Sequence, residues 1–528
     1  MTNPSPPTEL LDIDEAMRTG QIGRAITMAR QALDSGIAHP VLFNLRGYWH
    51  ESEGRLDAAL TDLACASRLA PGDARIFVSM GRCLTHLGRL PEALIVLDEA
   101  IWLAPDLAPA HYEKAFALEQ SGQLQPARAS YETAHALAPA MANAAARLAA
   151  LAARRSDWAE TERLATLALA LDPADTVAQL ALVNRDMAQG DHADAEQRAR
   201  VLVRSPDVVP QARANAFSVL ADALDAQGRV DEAFAAYSEA NAMLQSLFQG
   251  RFPGETGLPL AMRMRTAFEG LSWPSSPAPS PAPVFVLGFA RAGTTLLGQI
   301  LASHSRFAVA EEKPLLLDAM TDFLTPPDGL EKLMALPPDG LDHYRALYWQ
   351  RAREHGLPSD RILVDQTPLH SLHLAVIARL FPQARIVLAL RDPRDVVLSC
   401  FRRLFVPNPY TCEFFSLERA ARFYDAAMGC VDVARARLPL QFHDLRNEAL
   451  VADFDGQVRA LCDFLDVPFE PQMNRFADRA RSGAVATPSA TQIAKGLSDS
   501  GIGQWRRYAT QMASVQPILQ PWVDKLGY

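Results

Sequence analysis

The chain has 528 residues, 49% hydrophobic and 21% charged, with a formal net charge of -10. At about 150 residues per domain this length implies two to four domains, and the acidic balance argues against a protein that grips nucleic acid nonspecifically. No apolar run reaches the ~18 residues of a membrane span, the N-terminus lacks the basic and apolar regions of a secretory signal, and the six cysteines form no C-x-x-C pair. A cytoplasmic protein with reduced thiols, no disulfide and no metal centre is expected.

In chain order, prolines recur first at Pro71, Pro105, Pro139 and Pro173, each 34 residues from the next. In register run Gly20, Gly54, Gly88, Gly122 and Gly190, with Ser156 in the remaining slot. Five residues later come Ala25, Ala59, Ala93, Ala127 and Ala195, with Thr161 as the exception. Small residues at these points let helices approach closely, and each proline ends the second helix of a pair. In these features residues 10–245 resemble the tetratricopeptide repeat family, with a degenerate last unit because Gly228 falls 38 residues after Gly190. The resemblance implies an all-α superhelix over residues 1–248 with a concave groove. That groove suits an acceptor protein or glycan, or else the array is a spacer or a homodimer contact.

Residues 249–283 read as a Pro-rich linker, because WPSSPAPSPAP at 273–283 can be neither a helix nor a central strand. From residue 284 to 528 the apolar runs VFVLGF, RILVDQT, ARIVLALRD and LPLQFHD alternate with helical patterns. That is the order of an α/β domain with a mainly parallel sheet, whose ligands lie at the carboxyl ends of the strands.

The first of these strands runs into GFARAGTT, residues 288–295. Gly288 and Gly293 let backbone amides converge, and the helix starting near Thr294 adds its positive end, so an anion is expected there. The spacing is that of a P-loop, except that Thr294 holds the slot of the lysine that reaches the outer phosphates of a nucleoside triphosphate. A P-loop kinase, needing ATP and magnesium, is disfavoured by that absence. In LRDPRDVVLSCFRR, Asp392-Pro393 is a sound helix start, Ser399 and Arg403 lie one turn apart, and Arg391 follows a buried run.

Together GFARAGTT, AEEKP at 310–314 and LRDPRDVVLSCFRR resemble the PAPS-dependent sulfotransferases, especially the bacterial tetratricopeptide-linked group and its protein-tyrosine sulfotransferase relatives, over residues 284–508. The resemblance implies in-line transfer of a sulfuryl group from 3'-phosphoadenosine-5'-phosphosulfate (PAPS) to an acceptor hydroxyl, without metal. The acceptor is left open among protein tyrosine, saccharide and small molecule. By the same resemblance Gly293, Thr294 and Thr295 hold the 5'-phosphosulfate, Arg391, Ser399 and Arg403 the 3'-phosphate, and Ser489 with Gln492 belong to a donor-covering loop. Glu312, in preference to Glu311, is implied as the general base, and Arg291 as the group that neutralises developing charge.

The chain departs from the family at Gln366, where a lysine usually supports the leaving group. Losing that charge could cost about 10²-fold to 10³-fold in rate, which leaves a second reading, a repeat-based scaffold whose donor-binding domain turns over weakly or not at all. His370 and His373 could offset the lost charge if protonated, although a histidine beside a strand end is more often structural. Phe442 stands where the family has a donor-touching tyrosine, and Gln504 where it often has a basic residue that Arg506 or Arg507 could replace. Residues 320–360 and 405–420 are the expected acceptor walls.

Overall fold

A computed structural model describes residues 8–252, 254–270, 273–274, 281–481 and 496–528. By contacts the chain divides into two compact units, residues 1–198 and 199–528.

The first unit is a succession of helix pairs, among them Pro40–Ser52 with Leu56–Leu69, Ala74–His86 with Leu90–Leu103, Ala108–Gln120 with Leu124–Leu137, and Ala142–Arg154 with Trp158–Leu171. Pro71, Pro105, Pro139 and Pro173 each lie two residues beyond the second helix of a pair, where the helix could not continue. Ala25, Ala59, Ala93 and Ala127 are wholly buried, so the alanine slots do serve close helix approach. The glycine slots do not. A Cβ at Gly20, Gly54, Gly88, Gly122 or Gly190 would meet nothing within 4 Å, but each has φ between +73° and +87°. Their requirement is the left-handed turn between paired helices, and Ser156 adopts it too, at φ 59°.

The second unit holds a five-stranded, all-parallel sheet: β1 (Val284–Gly288), β2 (Phe307–Glu311), β3 (Ile362–Gln366), β4 (Arg385–Leu390) and β5 (Gln441–Arg446), in the order β2-β3-β1-β4-β5. β1 is buried along its whole length, as expected of a central strand covered on both faces. β2 was not among the strands read from the sequence. Its five residues, FAVAE, make an edge strand that pairs Phe307 to Glu311 with Ile362 to Gln366.

The same unit includes the last repeat pair, Pro210–Ala226 and Val230–Phe248, whose Leu224 and Tyr237 belong to one continuous core with Phe285 of β1. Asp225 fastens the pair to the sheet domain. Its carboxylate accepts from Arg402 Nη2 (2.5 Å), the Tyr508 hydroxyl (2.7 Å) and Arg507 Nη2 (2.9 Å), while Asn241 Nδ2 donates to the Phe401 carbonyl at 2.8 Å. Within 249–283, Gly257–Gly270 is a helix, because Leu260, Ala261, Met264 and Phe268 have helical spacing and are buried. Residues 275–280 of the proline run lie outside the described residues. Among the described residues no helix is long and apolar enough to cross a membrane.

Candidate active site

Each strand delivers residues to one place. A cavity of about 610 Å³ is lined by Ala290 and Arg291 after β1, Glu312 after β2, Thr367 after β3, Arg391 after β4 and Asn447 after β5. This is the crevice that an open parallel sheet forms where the chain leaves β1 in opposite directions, with β3 on one side and β4 on the other.

The phosphate loop is built by its glycines. A Cβ on Gly288 would come within 2.6 Å of the Ala389 carbonyl oxygen, so β1 and β4 could not approach as they do. Gly293, at φ 107°, precedes the helix Thr294–Ala302 and offers that N-terminus no side-chain cap. The helix N–H groups near Thr294 and Thr295, both buried and both on the cavity, therefore lack the side-chain acceptor that usually meets them.

Arg291 sits on this loop at φ 68°, a left-handed conformation that costs a non-glycine residue about 1–2 kcal/mol. Its Nε donates to Ser399 Oγ at 3.1 Å. Burial, and then the repulsion of Arg403 and Arg391, bring its guanidinium down to about 10. Arg391 Nη1 donates to the Arg291 carbonyl at 3.2 Å and Nη2 to that of Gly501, whereas its Nε has no partner. Three arginines thus crowd one point, as an anion would stabilise. Ser399 and Arg403 stand beside Arg291 rather than on the cavity wall, and Arg403 also faces Asp222 of the last repeat pair at 3.5 Å.

Glu312 is the other cavity residue in a left-handed conformation, φ 50°, with its N–H held by the Gln366 carbonyl at 2.8 Å. Its side chain is open to the cavity, yet the surrounding walls raise its carboxyl above the ordinary range by desolvation. Glu311 ends β2 and turns the opposite way, beneath the helix Thr294–Ala302. One of its oxygens accepts from Gln299 Nε2 at 3.3 Å, the other has no partner, and burial followed by the charge of Glu312 pushes it up to about 7.

Gln366 is not brought to the cavity. It is fully buried, both atoms of its amide lack partners, and it lies against Gly298 on the Glu311 side of the sheet. Side chains alternate along a strand, so Asp365 goes to the other face and Thr367, not Gln366, reaches the cavity. Phe442 does not line the cavity either and lies beneath Arg435. Gln504 Nε2 donates to the Ser500 carbonyl, and Arg507 is committed to Asp225. Ser489 and Gln492 lie outside the described residues.

Two cavity residues escaped sequence reasoning. Lys313 adds a positive charge beside Glu312, and Asn447 faces Gly293 from the end of β5. Lys313 was legible as the fourth residue of AEEKP, whereas Asn447 had no signal beyond following a strand. Of the expected acceptor walls, 405–420 contributes Phe405, Tyr410 and Phe414 among others, but 320–360 only Met320.

A parallel sheet with a phosphate-type loop and an arginine cluster at its carboxyl end defines an α/β anion-transfer domain joined to helical repeats. Residues 283–471 match the family model described as sulfotransferase family, and residues 50–110 and 180–244 match the tetratricopeptide repeat model. The match to the sulfotransferase family is thus confined to the C-terminal domain, with tetratricopeptide repeats before it, and it supports sulfuryl transfer in general.

An uncharacterized protein of Aquifex aeolicus (strain VF5) is 25% identical over 385 residues, 70% of this chain and 49% of that protein, so the chain spans about half of that relative's length. Protein-tyrosine sulfotransferase 1 of Danio rerio is 23% identical over 261 residues, 46% of this chain and 72% of that protein. Among solved structures, the sulfotransferase domain from the Synechococcus PCC 7002 olefin synthase is similar at 23% identity, with 45% of this chain and 91% of that one covered and a TM-score of 0.32.

Proposed function

We propose that the chain is a PAPS-dependent sulfotransferase acting on an acceptor hydroxyl. The observation that carries this reading is the meeting of Arg291, Arg391 and Glu312 on one cavity at the sheet's carboxyl end. Gly293, Thr294 and Thr295 receive the 5'-phosphosulfate with amides and hydroxyls, and Arg391 receives the 3'-phosphate, with Ser399 and Arg403 supporting it from beside Arg291. Glu312, with its carboxyl raised toward neutrality, takes the acceptor proton as the new O–S bond forms. Arg291 balances charge on the transferring oxygens while the bond from sulfur to the bridging oxygen breaks and 3'-phosphoadenosine-5'-phosphate leaves. Lys313 adds positive charge to the same cavity.

The name of the Danio rerio relative supports a phenolic hydroxyl as one acceptor class. Tetratricopeptide repeats are generally protein-interaction modules, and the array is proposed to recruit an acceptor or a partner protein. The test is calorimetric titration with 3'-phosphoadenosine-5'-phosphate, the same titration of Arg391→Ala, and ATP-magnesium as control. Binding of the bisphosphate that is weakened at least tenfold in the variant is expected. No binding, or equal binding by the variant, overturns the proposal.

A further inference from the structure

Asp365, at the end of β3, is fully buried and accepts from the Tyr348 hydroxyl at 3.1 Å, His370 Nε2 at 3.2 Å and Thr367 Oγ1 at 3.4 Å. His370 Nδ1 in turn lies 2.8 Å from His373 Nδ1. With Asp365 ionised and His370 neutral, the chain of contacts sets every hydrogen. The Asp365 carboxylate can only accept, so His370 carries its hydrogen on Nε2 and keeps a lone pair on Nδ1. His373 must then carry its hydrogen on Nδ1, which leaves a lone pair on Nε2. His373 is 2% exposed and is one of the residues lining the cavity, and its Nε2 is buried without a hydrogen-bond partner. A buried polar atom held in one tautomer and left without a partner is what a site built for a ligand donor looks like.

Next to it the cavity turns apolar. The Tyr410 ring lies 6.4 Å from that of His373, Phe405 and Phe414 pack at 5.1 Å from each other, and Leu316, Leu317 and Met320 complete the wall. A saccharide would set most of its hydroxyls against carbon here, whereas an aromatic ring would match the wall.

Resting on the donor reading above, we propose that His373 Nε2 is the recognition point for a second hydrogen donor on the acceptor, and that the acceptor is a phenol bearing a neighbouring O–H or N–H. Glu312 keeps the role of base. Burial holds His373 well below the usual imidazole range, so it accepts a hydrogen bond without taking the proton. His370 and Asp365 are positioning residues that act by setting the tautomer of His373.

The test is calorimetric titration of catechol and of 2-methoxyphenol, which lacks the second donor, into the full chain saturated with 3'-phosphoadenosine-5'-phosphate. Catechol is expected to bind about tenfold tighter or more, because its rival leaves the lone pair unmet. In His373→Phe the two affinities should come within about twofold, and His373→Gln, which keeps an acceptor atom, should retain part of the preference. His370→Leu, which frees the tautomer of His373, should also reduce it while bisphosphate affinity stays unchanged.

Equal affinities in the wild type, binding of neither phenol, or an undiminished preference in His373→Phe with bisphosphate affinity preserved overturns the inference. If His373→Phe loses the bisphosphate, the His373→Gln comparison decides, and a preference equal to that of the wild type supports the assigned lone pair. Failure of the wild type to bind the bisphosphate overturns the donor reading itself, and this inference with it.

Discussion

Replacing Glu311 by Gln should stabilise the sheet-containing unit in a strongly pH-dependent way. Burial and the adjacent Glu312 raise the Glu311 carboxyl from 4.5 to about 7. Folding therefore favours its protonated form, and that contribution is fully present below pH 4.5 and is lost as the pH rises through about 7. At ~1.4 kcal/mol per pH unit the gap sets an upper bound of about 3.4 kcal/mol, and partial exposure of the side chain reduces the expected figure to about 1–3 kcal/mol. Gln is neutral throughout and can still bond Gln299. In scanning calorimetry Glu311→Gln should melt roughly 2–6 °C above the wild type at pH 8.5 and much closer to it at pH 5. Turnover should change by less than about threefold if Glu312 is the base, whereas Glu312→Gln should lose about 10²-fold or more. An equal melting difference at the two pH values would refute the assignment of Glu311 as a buried acid whose carboxyl is raised.

Four further outcomes can be measured. Ser156→Gly should raise the stability of the first unit by about 0.5–1 kcal/mol in urea melts, since it relieves a left-handed residue at φ 59°. Gly288→Ala should cost about 1–3 kcal/mol by the same measurement on the second unit, because the new Cβ meets a strand carbonyl at 2.6 Å that cannot swing away. Asp225→Ala, which leaves Arg402 and Tyr508 without their shared acceptor, should cost about 3–5 kcal/mol in thermal denaturation. Gln366→Lys should change kcat by less than about fivefold, since the new ammonium would face Glu311 rather than the cavity; a gain of about 10²-fold in steady-state assays would refute that placement.

The repeat period and the phosphate loop were legible because each is a local pattern with a fixed spacing. What the sequence hid depends on which face a residue takes. Gln366 was read as a site residue because it stands in the slot of the family's lysine, but period-two alternation turns it under the helix Thr294–Ala302 and leaves the cavity to Thr367. β2 was hidden because FAVAE is short and holds a single β-branched residue. The glycine slots were located correctly but for the wrong physical reason, since the empty space around them is visible only in three dimensions. His370 and His373 read as structural, and their relation to Asp365 arises from the turn Pro368–Leu372, which no periodicity announces.

The shared core around Asp225 sets where this protein can be cut or lengthened. The 34-residue units upstream of Ala199 belong to a separate compact unit built by neighbour-to-neighbour stacking, so their number is the freer variable among descendants of this gene. The final helix pair has no such freedom. A fragment beginning at the proline run would start its life with Phe401, Arg402 and Tyr508 exposed, so the smallest portable piece that holds the sheet includes one repeat as part of its own fold.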